Sequence, residues 1–267
     1  MKSTLDQIED IKKNGYSLDF ATTFDHAFEN YKKIAVYSGL IFLVFSVIVA
    51  IAYMGTITAI FGIENIKKDF LEEYSKRKLS GEELLVHSIG LAVLTGLLAP
   101  FMAGFFKMAD HADRDVEFKV STIFSYYKAP YFVQLFINAF IPALVGTAIS
   151  GIIKNIDNTA IGNTISFVIP YFISYLMFLS IPLIVFGKLK GIEAIKSSFI
   201  IVTKNPLTIF SFFILGFIGS LVGIIGCGVL VFFTIVFNTS MIYATYYAIF
   251  GIKQEDSIDS IGNSNVD

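Results

Sequence analysis

Few side chains in this 267-residue sequence are spaced to do chemistry, and the densest group is Asp110-His111-Ala112-Asp113-Arg114-Asp115. Asp110, His111, Asp113 and Asp115 offer the donors from which a divalent-cation site or a phosphate-positioning site can be built. The plainer reading of the same run is a solvated helix end at which Arg114 balances the acids. Hard cations ask for about six to eight converging oxygens, more than one helical turn supplies. The remaining histidines, His26 and His87, lie in other segments, so a four-histidine iron site cannot be assembled. No HExxH pair and no Walker loop occurs. His26, on the polar face of a helix, reads as a surface residue. Cys227 is the single cysteine, which excludes an intramolecular disulfide. These absences leave no catalytic residue, no metal beyond the weak candidates above and no cofactor to expect.

What must position such residues is a membrane. Hydrophobic residues make up 55% of the chain and charged ones 16%, against about 25% charged in soluble domains. The charges are also clumped: windows 34–63, 84–106, 129–153, 158–187 and 205–252 hold no Asp, Glu, Lys or Arg. A spanning helix needs about 20 apolar residues, so four windows hold one helix each and the last holds two. The expected fold class is therefore all-α, a polytopic membrane helical bundle of six transmembrane helices. The expected spans are 34–58, 84–106, 130–153, 164–187, 206–225 and 229–250. Windows such as Leu176–Phe186 are apolar on every face, which argues against the alternating strands of a β-barrel. A soluble enzyme, a disulfide scaffold and a nucleic-acid binder are excluded by the same arithmetic.

Counting Lys and Arg outside the spans gives 14 on the side that carries both termini and six on the other. The positive-inside rule then places both termini in the cytoplasm. Residues 1–33 are polar and lack a cleavage motif, so the first span is expected to serve as its own insertion signal. The chain divides into a cytoplasmic segment 1–33, a six-helix membrane domain 34–250 and a disordered tail 251–267. Asn14-Gly15 closes a short first helix, and Ser80 with Glu83 forms a capping box for the second span. The external segment 62–83 reads as a helix with Glu72/Lys76 and Glu73/Arg77 pairs.

Each cytoplasmic segment carries an apolar stripe and ends in lysine before a span. The stripes are Phe20, Phe24, Ala27, Phe28 and Tyr31; Val120, Ile123, Phe124 and Tyr127; and Ile192, Ile195, Phe199 and Val202. Such amphipathic helices are expected to lie flat in the headgroup layer, with Lys32, Lys33, Lys128 and Lys204 reaching lipid phosphates. The pattern suggests three copies of one module, an interfacial helix followed by two spans. No Asp, Glu, Lys or Arg lies within a span, which counts against an ion-coupled carrier. Gln134, Asn138, Asn163, Ser174, Asn238, Thr239 and Ser240 either bond between helices or line a path. Gly216, Gly219 and Gly223 mark a close helix contact, within the fold or with a partner. Pro100, Pro142, Pro170 and Pro182 are expected to kink their spans.

The stretch from Pro182 to Asn205 resembles the membrane domain attached to some bacterial glycerophosphodiester phosphodiesterases, and stand-alone six-span relatives of that domain. In that family a Pro-containing span leads into a Gly-x-x-Ala-x-x-Ser helix, positions held here by Gly191, Ala194 and Ser197. Ala99-Pro100 and Gly104 match the family's second span, and the resemblance covers the last five spans. It implies membrane architecture only, because the soluble phosphodiesterase barrel has no counterpart in this chain. Glu193-Ala194 also begins like the coupling loop of binding-protein-dependent permeases, but Ile195 and Phe199 stand where that loop wants Ala and Gly.

The expectation is an integral membrane scaffold or accessory subunit without a catalytic site, contacting lipid headgroups or a partner protein. A small permease subunit and a lipid-modifying enzyme built on Asp110–Asp115 are the alternatives. Expected partners are membrane lipids, with a second membrane protein or a second copy of the chain as the other candidates, and no nucleic acid.

Overall fold

The computed structural model describes residues 3–61, 79–117, 119–157, 159–225 and 228–251. Among these residues there is no β-strand, and five helical segments are long and apolar enough to cross a membrane. The protein is a helical, multi-pass membrane protein. The expected helix over 62–83, apart from its last residues, and the tail lie outside the described residues, as does Cys227.

Helix α1 (Thr4–Asn14) opens with a capping box between Ser3 and Asp6 and closes at Gly15, whose φ of 72° suits a residue without a Cβ. Helix α2 (Phe20–Phe61) begins where the Asp19 carboxylate accepts the Thr22 N–H at 2.7 Å. It then runs for 42 residues without a break. No Gly or Pro occurs between Phe20 and Ser38, so nothing ends the helix at Lys32-Lys33. At 1.5 Å per residue it is about 63 Å long, whereas a bilayer with its headgroups is about 40–45 Å thick. The segment 20–33 therefore projects along the axis of its span instead of turning to lie flat.

Helix α3 (Gly81–Asp113) starts on the Ser80/Glu83 capping box, and its apolar, spanning part ends at Phe106. A 3-10 helix (Val120–Tyr127) then returns along it. The contact is close enough that a Cβ at Gly104 would sit on the Ile123 carbonyl. The second expected amphipathic α-helix is thus a tighter 3-10 turn. Only Ile123 of its expected stripe is buried, joined by Thr122 and Tyr126.

Helices α4 (Tyr131–Ile156) and α5 (Ala160–Leu176) form the next hairpin. The fourth apolar segment is interrupted at residues 177–179 before α6 (Ser180–Val185), which holds Pro182 in its first turn. Backbone groups freed at such an interruption need partners where water is scarce. Ser198 of α7 (Gly191–Lys204) supplies them: its hydroxyl accepts from the Leu179 N–H at 3.1 Å and donates to the Leu176 carbonyl at 2.9 Å. The N-terminus of α7 docks on α4, with the Gly191 N–H donating to the Gln134 side chain at 2.8 Å. Asn138 donates to the Gly191 carbonyl at 3.5 Å and accepts from Ser180 at 3.0 Å.

Helix α8 (Pro206–Leu221) leads through a 3-10 turn at 222–224 to the last apolar stretch. That stretch, expected as a single span over 229–250, is helical in two pieces, α9 (Val231–Thr234) and α10 (Val236–Phe250). Ile235 between them keeps right-handed helical backbone, with φ −60° and ψ −30°. A Cβ at Gly216 would press on Asn238 of α10, one at Gly219 on the Phe237 ring and one at Gly223 on the Leu230 backbone. The three glycines therefore face the chain's own last helix.

The three segments expected to repeat as interfacial helices take three different forms: a continuous helix, a 3-10 turn and a separate α-helix. Their inward faces also differ from the expected stripes. In α2 the buried positions are Thr23, Ala27, Asn30, Ile34 and Ser38, while Phe20 and Phe28 stay exposed. In α7 they are Gly191, Ala194, Ser197, Ser198, Ile201 and Val202, while Ile192 and Phe199 stay exposed.

Candidate functional site

The site sits where α1, the end of α3, the start of α4 and the end of α10 meet. Its base is a buried polar cluster. Asn30 of α2 donates to the Asp113 carboxylate at 2.7 Å and to the Ala109 carbonyl at 2.8 Å. Its amide oxygen accepts from Ser240 of α10 at 3.0 Å. One asparagine thereby ties three helices together. His26, one turn earlier, contacts Asp113 and packs edge-on against the Tyr247 ring at 4.8 Å. Burial pushes the Asp113 carboxyl up, but hydrogen bonds from His26 and Asn30, with the nearby charges of His26 and Lys33, outweigh it. The group is held below the usual carboxylate range and stays ionised at neutral pH.

The acidic run does not converge. Asp110 is bound to Arg114 at 3.0 Å, Asp113 to His26 and Asn30, and the exposed Asp115 to Lys33 at 3.0 Å. Each carboxylate is aimed at a different partner. Among the described residues no three His, Cys, Asp or Glu side chains gather as metal ligands would. The solvated-helix-end reading needs amending at Asp113, which is 14% exposed and anchored in the bundle. His26 likewise is not a bystander but part of that anchor.

Beside this cluster opens a cavity of about 530 Å³. Its cationic lining is Lys107 from α3, Arg114 just past the end of α3 and Lys188 from the linker before α7, with Asp110 the one carboxylate among the described residues. Its walls are Tyr126, Tyr131, Tyr243, Tyr246 and Tyr247, and α1 closes one side with Thr4 and Gln7. Lys107 lies 5.9 Å from the centre of the Tyr126 ring, a cation–π distance. Burial, then the neighbouring Tyr131 and the Asp110 charge, push the Tyr126 hydroxyl well above the ordinary phenol value. Burial and the Lys107 charge lower the affinity of His111 for a proton, so its imidazole is neutral at pH 7. The buried His111 Nδ1 has no hydrogen-bond partner among the described residues.

The expected headgroup lysines divide into two classes. Lys33 is engaged inside the protein, donating to the Ala112 carbonyl at 2.9 Å as well as to Asp115. Lys32 pairs with Glu29 at 2.6 Å and lies over the Phe28 ring. Lys128 and Lys204 are exposed, with no ion-pair partner among the described residues. Around the same end of the bundle stand exposed apolar side chains, among them Phe28, Phe124, Ile192, Phe199, Leu207 and Phe210.

Of the polar residues that might line a path, Gln134, Asn138 and Ser240 are engaged in the interhelical hydrogen bonds above. A second cavity, about 570 Å³, is an apolar groove between α2 and α3 lined by Phe42, Phe45, Thr95 and Met102. A third, about 460 Å³, lies at the opposite end around His87, Lys154 and Asn155. There Asn155 brackets the start of α3 by donating to the Leu79 carbonyl at 2.7 Å and accepting its N–H at 3.3 Å. Neither Asn138 nor Asn238 lines any of these three cavities.

The sequence pointed to Asp110–Asp115 but not to the partners that His26, Asn30, Ser240 and five tyrosines provide. The available signal was polar residues spaced among small ones: Thr23, Ala27, Asn30, Ile34 and Ser38 recur every three to four positions. No protein-family model matches the chain, nor does any curated protein or solved structure.

Proposed function

We propose that the protein is a six-span integral protein of the bacterial cytoplasmic membrane, with both termini inside, that acts as a non-catalytic scaffold engaging anionic lipid headgroups. The observation that carries this reading is the collar at the lysine-rich end. Large apolar side chains there, Phe28, Phe124, Ile192 and Phe199, remain exposed although the small faces of the same elements are packed. In water such a collar is costly, at about 25 cal/mol per Å² of apolar surface. At the acyl–headgroup boundary it is buried, and the unpaired Lys128 and Lys204 lie where phosphates are. The stretch 229–250, with helical backbone through Ile235, serves as the sixth span.

The likeness of residues 182–205 to the phosphodiesterase membrane domain enters as architecture alone. Gly191, Ala194 and Ser197 lie on the packed face of α7, so that motif serves helix packing.

The test places nitroxides at Phe28, Phe124 and Phe199 in a Cys227→Ser background and measures their depth by oxygen and nickel-chelate accessibility in anionic vesicles. All three labels should lie at the headgroup boundary. Labels with free aqueous accessibility at two or more of these positions would overturn the collar as a lipid contact.

A further inference from the structure

We propose that the tyrosine-walled cavity binds one phosphate-bearing anion. The proposal stands on the cavity and goes beyond the collar, which it does not require. At about 530 Å³ the cavity lies within the size range of small-molecule sites. Three side-chain cations, Lys107, Arg114 and Lys188, face one lining carboxylate, Asp110, which Arg114 already pairs. Among the described lining residues two positive charges are left over. Asp113, the next carboxylate along α3, is not in the lining and is hydrogen-bonded by Asn30 and in contact with His26. A phosphate monoester carries close to two negative charges at pH 7, which is the charge the lining lacks.

The neutral lining points the same way. The hydroxyls of Tyr126, Tyr131, Tyr243, Tyr246 and Tyr247 have no hydrogen-bond partner among the described residues, whereas those of Tyr16, Tyr127 and Tyr175 each bond a backbone carbonyl. Five uncommitted phenol donors beside two surplus cations make a site rich in donors and poor in acceptors. An oxyanion satisfies that imbalance, while a cation or a neutral hydrogen-bond donor does not. The donors come from α3, α4, α10, the 3-10 helix and the 186–188 linker, so only the folded bundle assembles them. The volume exceeds that of a bare phosphate, and the stacked Tyr246 and Phe250 rings, 4.8 Å apart, offer an apolar wall for the group that carries it.

The same chemistry can be presented by a lipid with a phosphomonoester headgroup or by a soluble phosphorylated molecule, and the experiment separates them. The full chain in phosphatidylcholine nanodiscs is titrated with inorganic phosphate, and in parallel it is reconstituted with phosphatidic acid. With no Trp among the 267 residues, emission from the 13 tyrosines reports on the cavity walls, and native mass spectrometry counts adducts. A saturable response with one adduct per chain is expected. A response to lipid alone assigns the headgroup source, and a response to free phosphate assigns a soluble one. Lys107→Ala should weaken binding by at least about tenfold, the value of a charge-assisted hydrogen bond. Lys188→Gly should do likewise and cannot fail through misfolding at that position. Lys188 has φ 56°, a conformation that glycine accepts more readily than lysine. Lys12→Ala, exposed on α1 and outside both the cavity and the collar, should leave the adduct unchanged. No saturable response in either arm, or an undiminished one in both Lys107→Ala and Lys188→Gly, overturns the proposal.

Discussion

Asn30 serves three partners with one side chain. It is fully buried between α2, α3 and α10 and satisfies Asp113, the Ala109 carbonyl and Ser240 at once. Replacing it by Leu keeps the volume but leaves those groups unpaired in a site with little water. The expected loss of stability is about 1–3 kcal/mol, read from the unfolding of the detergent-solubilised protein. Retention of wild-type stability would show that water replaces the amide. Asp113 makes the same point through pH. Its carboxyl is held below its ordinary value, so it contributes stability that is complete above the unfolded value, about 3.9. That contribution is lost as pH falls through the lower folded value. The advantage of the wild type over Asp113→Asn should therefore shrink as pH falls below about 4. A difference that does not change with pH would remove the charged form from the account. Gly104→Ala is a third test, because the Ile123 carbonyl occupies the space a Cβ needs. Displacing the 3-10 helix should cost about 1–3 kcal/mol and perturb the adjoining Tyr126.

At the scale of elements, the helices were legible and their orientations were not. The stripes Phe20-Phe24-Ala27-Phe28-Tyr31 and Ile192-Ile195-Phe199-Val202 are regular enough to identify helices, but of these residues only Ala27 and Val202 are buried, and the packed faces are completed by Asn30, or by Gly191, Ala194 and Ser198. The reason lies in the solvent. In water an apolar stripe marks the face that turns inward. Against hydrocarbon there is no gain in hiding such a stripe, and small or hydrogen-bonding residues decide which helices approach. The interruption at residues 177–179 follows the same logic, since it persists only because Ser198 answers both freed backbone groups. Ser198→Ala should therefore lower stability by about 1–2 kcal/mol and raise hydrogen exchange at Leu179. Exchange at Leu179 equal to the wild type would mean that the hydroxyl is dispensable. The length of α2 was hidden for a simpler reason. Lys32-Lys33 looks like a boundary when charge is counted, yet two lysines do not interrupt helical backbone.

For the whole molecule, the proposed orientation, which rests on the charge count, puts α1 and the tyrosine-walled cavity on the cytoplasmic side. In a Cys227→Ser background, a membrane-impermeant maleimide added to intact cells should label Ser80→Cys and leave Ser3→Cys unlabelled until the cells are opened. The reverse pattern would invert the topology and place the cavity outside. Composition and the spacing of charges were sufficient to establish a helical protein that crosses a membrane several times, because excluding charge from hydrocarbon is a local requirement on each segment. The capping box at Ser80 was legible on the same ground, since donor and acceptor lie within one turn. Only the tertiary structure could bring His26 and Asn30 to Asp113, or five tyrosines from three segments around Lys107, Arg114 and Lys188. The hydrogen bonds of Asn30 alone join residues 79 to 210 positions apart. Which helices meet depends on small residues and single hydrogen bonds spread over many segments, and no one stretch of sequence carries that information.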